Sequence, residues 1–182
     1  MSFRRVHPAR ERSIVMREVI VTEIAQIIAE KLQNGGAFLT SSDGVHANVM
    51  TIGWGGLTTF FTGSCFLAPV RTSRHTFDIM KKNSAFTVSI PLHDMHRELA
   101  FAGSKSGRDV NKFIGHGLTA APAQSVNVPI VEECELHIEC EPFGSVQLDP
   151  ATLTEYVNSH FYPTQDMHTF FLGKVVKCYY TK

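Results

Sequence analysis

Apolar residues recur at positions 20, 24, 27, 28 and 32 of the stretch 16–33, the spacing of one helix face, and Asn34-Gly35-Gly36 supplies a C-terminal stop. The pattern predicts one amphipathic helix over 16–33 that opens the fold. From Gly36 the period falls toward two. "AFLTSSDGVHANVMTIGW" reads as two short strands around a Ser-Asp-Gly turn, a hairpin signal. "SCFLAPVR" reads as a strand, "SRHTFDIMKKN" as a short helix with Phe77 and Met80 on one side, and "AFTVSIP" as a strand ended by Pro91. A helix is expected from about Asp94, breaking in a glycine-serine loop, with one more turn over Asp109 to Phe113. The segment 118–148 is strand-rich with prolines at its breaks. "DPATLTEYVNSHFYP" is a helical turn and "HTFFLGKVVKCYYT" a final strand. Six or seven strands with short helices and no βαβ repetition predict an antiparallel barrel with helical decoration.

Composition narrows the partners. The 182 residues suit one domain, and 43% hydrophobic content excludes a disordered class. Lysine plus arginine equals aspartate plus glutamate at 17 each, so no basic field favours nucleic acid or an anionic membrane, and a small partner is expected. The charged start lacks a signal-peptide core and no stretch is long enough to span a bilayer, which gives a cytoplasmic reading. Cys65, Cys134, Cys140 and Cys178 are scattered, as expected of buried thiols. Cys134 and Cys140, six apart, are expected on one face of a strand.

The polar residues inside the apolar frame of "NVMTIGWGGLTTFFTGSCFLAPVRTSRHT" point to a ligand. Arg71 and Arg74 stand with Ser73 and Thr76 at the head of the expected helix, where free N–H groups and the helix dipole favour a phosphate; a solvated pair is the alternative. "GSKSGRDVNKF", with Lys105, Arg108 and Lys112, can cradle an anion or form a solvated turn, and it is not a nucleotide-triphosphate loop. His93 and His96 in "HDMH" have no second pattern to complete a metal site, so none is expected. No cysteine nucleophile is required.

"NVMTIGWG", "VRTSRHT", "FTVSIP", "GSKSGRDVNKF", "CELHIEC" and "HTFFLGKV" occur in the order and approximate spacing of the flavin reductase-like, FMN-binding split-barrel proteins, the group that includes flavoredoxins and NAD(P)H:flavin oxidoreductases. The resemblance covers roughly residues 36–178. It implies an FMN-binding split β-barrel, mainly β, over 36–182, preceded by an N-terminal extension and helix over 1–35. It also implies a homodimer with FMN near the subunit interface. Lys174 stands where the family usually shows an acidic residue.

Carried onto this sequence, the resemblance lays Asn48, Val49, Met50 and Thr51 along the isoalloxazine edge, through backbone amides and the Thr51 hydroxyl. Trp54 either covers the ring or is an ordinary core indole. Arg71, Ser73, Arg74 and Thr76 form the implied phosphate clamp, whose size suits FMN rather than FAD. Ser104, Lys105, Ser106 and Lys112 form the second set of flavin contacts, and His168 and Phe171 bring the last strand toward the flavin. The implied activity passes electrons from NAD(P)H through FMN to an acceptor: a flavin, ferric iron or a redox protein. A flavoredoxin-type electron carrier and a non-catalytic flavin-binding or sensing module are the alternatives. No side chain is required as an acid or base, since positioning and electrostatics are the protein's share.

Overall fold

The computed structural model describes residues 16–181 apart from 62 and 84. Residues 1–15 of the expected N-terminal extension lie outside the described residues. The helix predicted over 16–33 is shorter: β1 (Arg17–Glu18) pairs antiparallel with Tyr179 and Tyr180, a 3-10 turn spans Val21–Ile24, and α1 covers Ala25–Gln33. Pairing with a neighbouring strand overrides helical spacing at its start. The predicted apolar face still decides the packing, because Ile24, Ile28 and Leu32 are buried in the main core while Ile20 stays exposed. Gly35 and Gly36 end the helix at φ +120° and +103°, a backbone region open to glycine.

The hairpin of β2 (Ala37–Ser42) and β3 (Ala47–Ile52) closes as the sequence predicts, with Phe38 opposite Thr51 and Ser41 opposite Asn48. β4 (Gly56–Phe60), which the pattern did not resolve, pairs with β5 (Gly63–Arg71). α2 (His75–Lys82) and β6 (Phe86–Ile90) follow, then α3 (His96–Ser104). The turn expected over Asp109 to Phe113 is a series of hydrogen-bonded turns rather than a helix. Short β7 (Ala120–Ala121) and β8 (Ile130–Val131) pair with each other; β9 (Leu136–Gln147), α4 (Glu155–Phe161) and β10 (His168–Tyr180) complete the chain.

The main sheet runs in the order β3-β2-β6-β9-β10-β5-β4, with β1 added on β10, and it does not close on itself. Every described pairing is antiparallel. It is the expected split barrel. Alternation along the strands divides the apolar residues between two clusters. Ala37, Leu39, Met50 and Ile52 join β5, β6, β9, β10 and α1 in the main core, whereas Phe38 and Val49 face the other way, under Met95, Leu99 and Ala102 of the α3 region. The same division corrects one expectation. Cys134 and Cys140 do not share a strand face: Cys134 precedes β9 in a turn, its N–H donating to the Val131 carbonyl, and packs in the second cluster, while Cys140 is in the first. All four cysteines are buried and none forms a disulfide.

Two clefts beside residues 71–74, the candidate functional site

Lys112 is the most deeply buried cation of the first cleft, and a lysine only 4% exposed needs acceptors. It has two, both backbone: its Nζ donates to the Val49 carbonyl at 2.8 Å and to the Ala102 carbonyl at 2.7 Å. Among the described residues no carboxylate pairs with it. Burial, and secondarily the nearby Arg74 guanidinium, lowers its pKa to about 8. β3 is the terminal strand of the sheet, so the side of it away from β2 is an open edge of peptide groups; Val49 offers its carbonyl to Lys112 there.

Around Lys112 is a cleft of about 190 Å³ built from three segments. β3 contributes Asn48 and Met50, the head of α2 contributes Ser73, Arg74, His75 and Thr76, and the loop after α3 contributes Ser104 to Arg108. Asn48 Nδ2 donates to Thr76 Oγ1 at 2.8 Å, tying β3 to the helix head. No side chain caps α2; the Phe77 N–H donates to the Arg74 carbonyl, and the His75 and Thr76 N–H groups ahead of it are uncapped at the cleft. Arg74 donates to the Gly103 carbonyl at 3.0 Å; Arg108 donates to the Ser73 carbonyl and pairs with Asp78. The buried Nδ1 of His75 has no partner. At Gly107 a Cβ would overlap the Asn48 side chain and crowd His75, so the loop reaches this closely only with glycine.

This donor set fits a phosphate-bearing flavin: four cations against one carboxylate, two serine hydroxyls, uncapped helix N–H groups and an orphaned imidazole nitrogen. Nine of the fifteen residues expected to hold flavin line this one cleft: Asn48, Met50, Ser73, Arg74, Thr76, Ser104, Lys105, Ser106 and Lys112. His75, Gly107 and Arg108 line it too: Arg108 was expected as an anion-cradling cation but not among the flavin contacts, and His75 and Gly107 were not singled out. All three lie in the same motifs, and the loop's close approach to β3 brings them to the cleft.

The other six lie elsewhere. Val49 and Thr51 point their side chains to the α3 side of β3, since successive strand residues face opposite ways; Val49 is buried, and the Thr51 hydroxyl donates to the Leu99 carbonyl at 2.5 Å. Only their backbone can serve a ligand at the edge. Phe171 is a core residue beside Phe77. Arg71 is engaged structurally, donating to the Asp166 carbonyl at 2.7 Å and the Phe161 carbonyl at 3.1 Å, with its guanidinium over the Tyr162 ring. Ser73, although at the first cleft, is also engaged: its hydroxyl and N–H both donate to Asp166, which accepts from Thr72 as well. A carboxylate of the chain itself therefore occupies this half of the implied clamp. Burial pushes the Asp166 carboxyl up, but hydrogen bonds from Ser73 and Thr72 and the charge of Arg71 outweigh it and hold its pKa below the ordinary value.

Trp54 and His168 belong with Arg71 in a second cleft of about 380 Å³, completed by Leu148, Val157, Phe161 and Tyr162. β10 pairs with β5 so that His168 is opposite Arg71. The Trp54 indole, 43% exposed and hence not a core residue, meets the His168 ring edge-on at 4.8 Å. Tyr162 Oη and His168 Nδ1 are 2.8 Å apart. Burial, then the charge of Arg71, lowers the His168 pKa to about 4, so the imidazole is neutral near pH 7. His93 and His96, the pair weighed as metal ligands, are turned to different acids, Glu135 at 2.7 Å and Asp94 at 4.0 Å. No helix among the described residues is long and apolar enough to cross a membrane.

Known proteins resemble the chain in sequence and in fold. The family described as flavin reductase like domain matches residues 29–182. An uncharacterized protein of Pyrococcus abyssi is 32% identical over 142 residues, 76% of this chain and 69% of that protein. Among solved structures, the flavoredoxin of Desulfovibrio vulgaris (Miyazaki F) superposes with a TM-score of 0.60 at 24% identity, covering 79% of this chain and 67% of the other. The FMN-binding domain of a flavin reductases-like enzyme from Shewanella baltica does so with 0.64 at 17% identity, covering 92% and 78%.

Proposed function

From the premise that the chain belongs to the flavin reductase-like family, we propose that it is an FMN-dependent oxidoreductase passing electrons from NAD(P)H through the flavin to an acceptor. The observation that carries this reading is the cationic cleft on the open edge of β3, where Lys112 is buried without a carboxylate partner. Arg74, Lys105, Arg108 and the head of α2 would hold the phosphate, and the peptide edge of β3 with Lys112 would meet the polar rim of the ring. Bound there, FMN supplies two-electron chemistry with a nicotinamide and electron delivery to an acceptor. The chain's own part is to fix the ring and to place positive charge where the reduced flavin gains negative charge. The protein acts as a homodimer. An exposed aromatic patch supports that assembly: Phe61 is 77% exposed and packs edge-on with Phe60 at 4.5 Å and Phe143 at 5.8 Å.

Anaerobic addition of NADH or NADPH to the FMN-loaded protein tests the proposal, with bleaching of the flavin absorbance as the expected result. Reduction only through a second redox protein would favour the electron-carrier reading, which the likeness to a flavoredoxin supports. No reduction by either route would leave a binding or sensing module.

A further inference from the structure

The second cleft is chemically unlike the first. Its walls are rings and branched aliphatics, and at about 380 Å³ it has the size of a small-molecule site. Val157 and Phe161 come from α4, a helix with no fully buried residue that is fastened by Arg71 to the Phe161 carbonyl and by Asn158 to the Pro150 carbonyl. The cationic charge at its edge is engaged, since both ends of the Arg71 guanidinium donate to backbone carbonyls and Asp166 is 4.0 Å away. An anionic ligand therefore finds no open cation here.

One hydrogen-bonding group is left over. The phenol O–H of Tyr162 is a stronger donor than an imidazole N–H, and burial raises its pKa, so it keeps its proton; 2.8 Å from His168 Nδ1, it is assigned as the donor of that pair on this chemical ground. The ring proton of the neutral imidazole then sits on Nε2, which has no partner among the described residues. From the ring-lined walls and this single donor we propose that the cleft is a second ligand site, taking a neutral single-ring aromatic or alicyclic molecule that carries one acceptor oxygen. The ring lies against Trp54, Val157 and Phe161, and the oxygen accepts from His168. The proposal is independent of the flavin reading.

Trp54 is the single tryptophan of the chain, so its indole N–H gives one resonance that reports on this cleft. Acetophenone, titrated into the protein with and without FMN, should shift that resonance saturably in both. Ethylbenzene, of similar shape but without the oxygen, should bind roughly threefold to tenfold more weakly, the worth of one hydrogen bond. Val157→Phe fills the cleft and should abolish both titrations while leaving FMN affinity unchanged. His168→Phe should bring the two probes to equal affinity. Absence of a saturable shift, equal affinities for the two probes in the unaltered protein, or exclusion of acetophenone by FMN would each overturn the proposal. If FMN itself fails to bind, the titration of the FMN-free protein still decides the matter.

Discussion

Residues 71–74 border two clefts whose polar groups are in opposite conditions. Arg71, at one end, has both guanidinium ends on backbone carbonyls and faces Asp166, and the cleft it lines is walled by rings around a neutral histidine. Arg74, at the other end, has one carbonyl partner and stands beside Lys112, Lys105 and Arg108 with a single carboxylate among them. Two arginines three residues apart are thus engaged differently. What separates them is the supply of carbonyls and carboxylates that each meets, and that is set by the approach of the 161–166 segment on one side and the 103–108 loop on the other.

Acid should act on the ring-walled cleft first. With a folded pKa of about 4 against an ordinary 6.5, His168 leaves the unfolded chain binding the extra proton between those values, so stability rises with pH across that window. Acidification from pH 6.5 to 4 should cost on the order of 3 kcal/mol through this group, and His168→Gln should flatten that limb in denaturant titrations. An unchanged acid limb would show that His168 is not buried neutral.

Asp166→Ala removes the acceptor of Ser73 and Thr72. A loss of about 1–2 kcal/mol in unfolding free energy is expected, with FMN affinity within about threefold of the unaltered protein. If Ser73 and Thr72 were phosphate ligands restrained by Asp166, freeing them would instead tighten FMN markedly.

Alkali should act on the cationic cleft. The Lys112 pKa, lowered to about 8, means the unfolded chain holds the extra proton from pH 8 to 10.5, so stability rises there while the cleft loses a cation. FMN affinity should fall above pH 8 by up to about tenfold per pH unit, and the fall should be absent in Lys112→Met. Opposite trends of stability and affinity in one pH window are the signature to look for.

The smallest effect on flavin reduction is expected at the buried thiols. Cys134→Ser with Cys140→Ser should lower the melting temperature and leave nicotinamide-dependent reduction intact, because the two lie in separate clusters and hydride transfer needs no thiol. Loss of reduction in a variant that keeps its flavin would require a thiol relay.

Most of the fold was legible because alternation and turn residues agree with the packing: the 37–52 hairpin, α2 and the strand ended by Pro91 follow from local pattern. β1 and β4 were not, because a two-residue strand and a glycine-led segment, Gly55-Gly56, carry too little pattern of their own and exist through pairing with β10 and β5. In the candidate site, the motifs marked the cationic loop and the head of α2, and the structure brings both to one cleft with β3. Which residues face the cleft was not legible. Thr51 and Asn48 are alike as polar residues of one strand, and only their parity on β3 sends one to Leu99 and the other to Thr76. Arg71 and Ser73 looked like a clamp because Asp166, more than ninety residues away in sequence, could not be placed beside them.

Whether Arg74, and not Arg71, serves a phosphate is decided by titrating FMN and riboflavin against the unaltered protein and Arg74→Ala, with circular dichroism confirming the fold. A hydrogen bond to a charged group is worth about 1.5–3 kcal/mol, so FMN affinity should fall roughly tenfold to a hundredfold or somewhat more, while riboflavin, which has no phosphate, should change by less than about threefold. Equal losses for both flavins, or no loss for either, would place Arg74 outside the phosphate site and contradict the account.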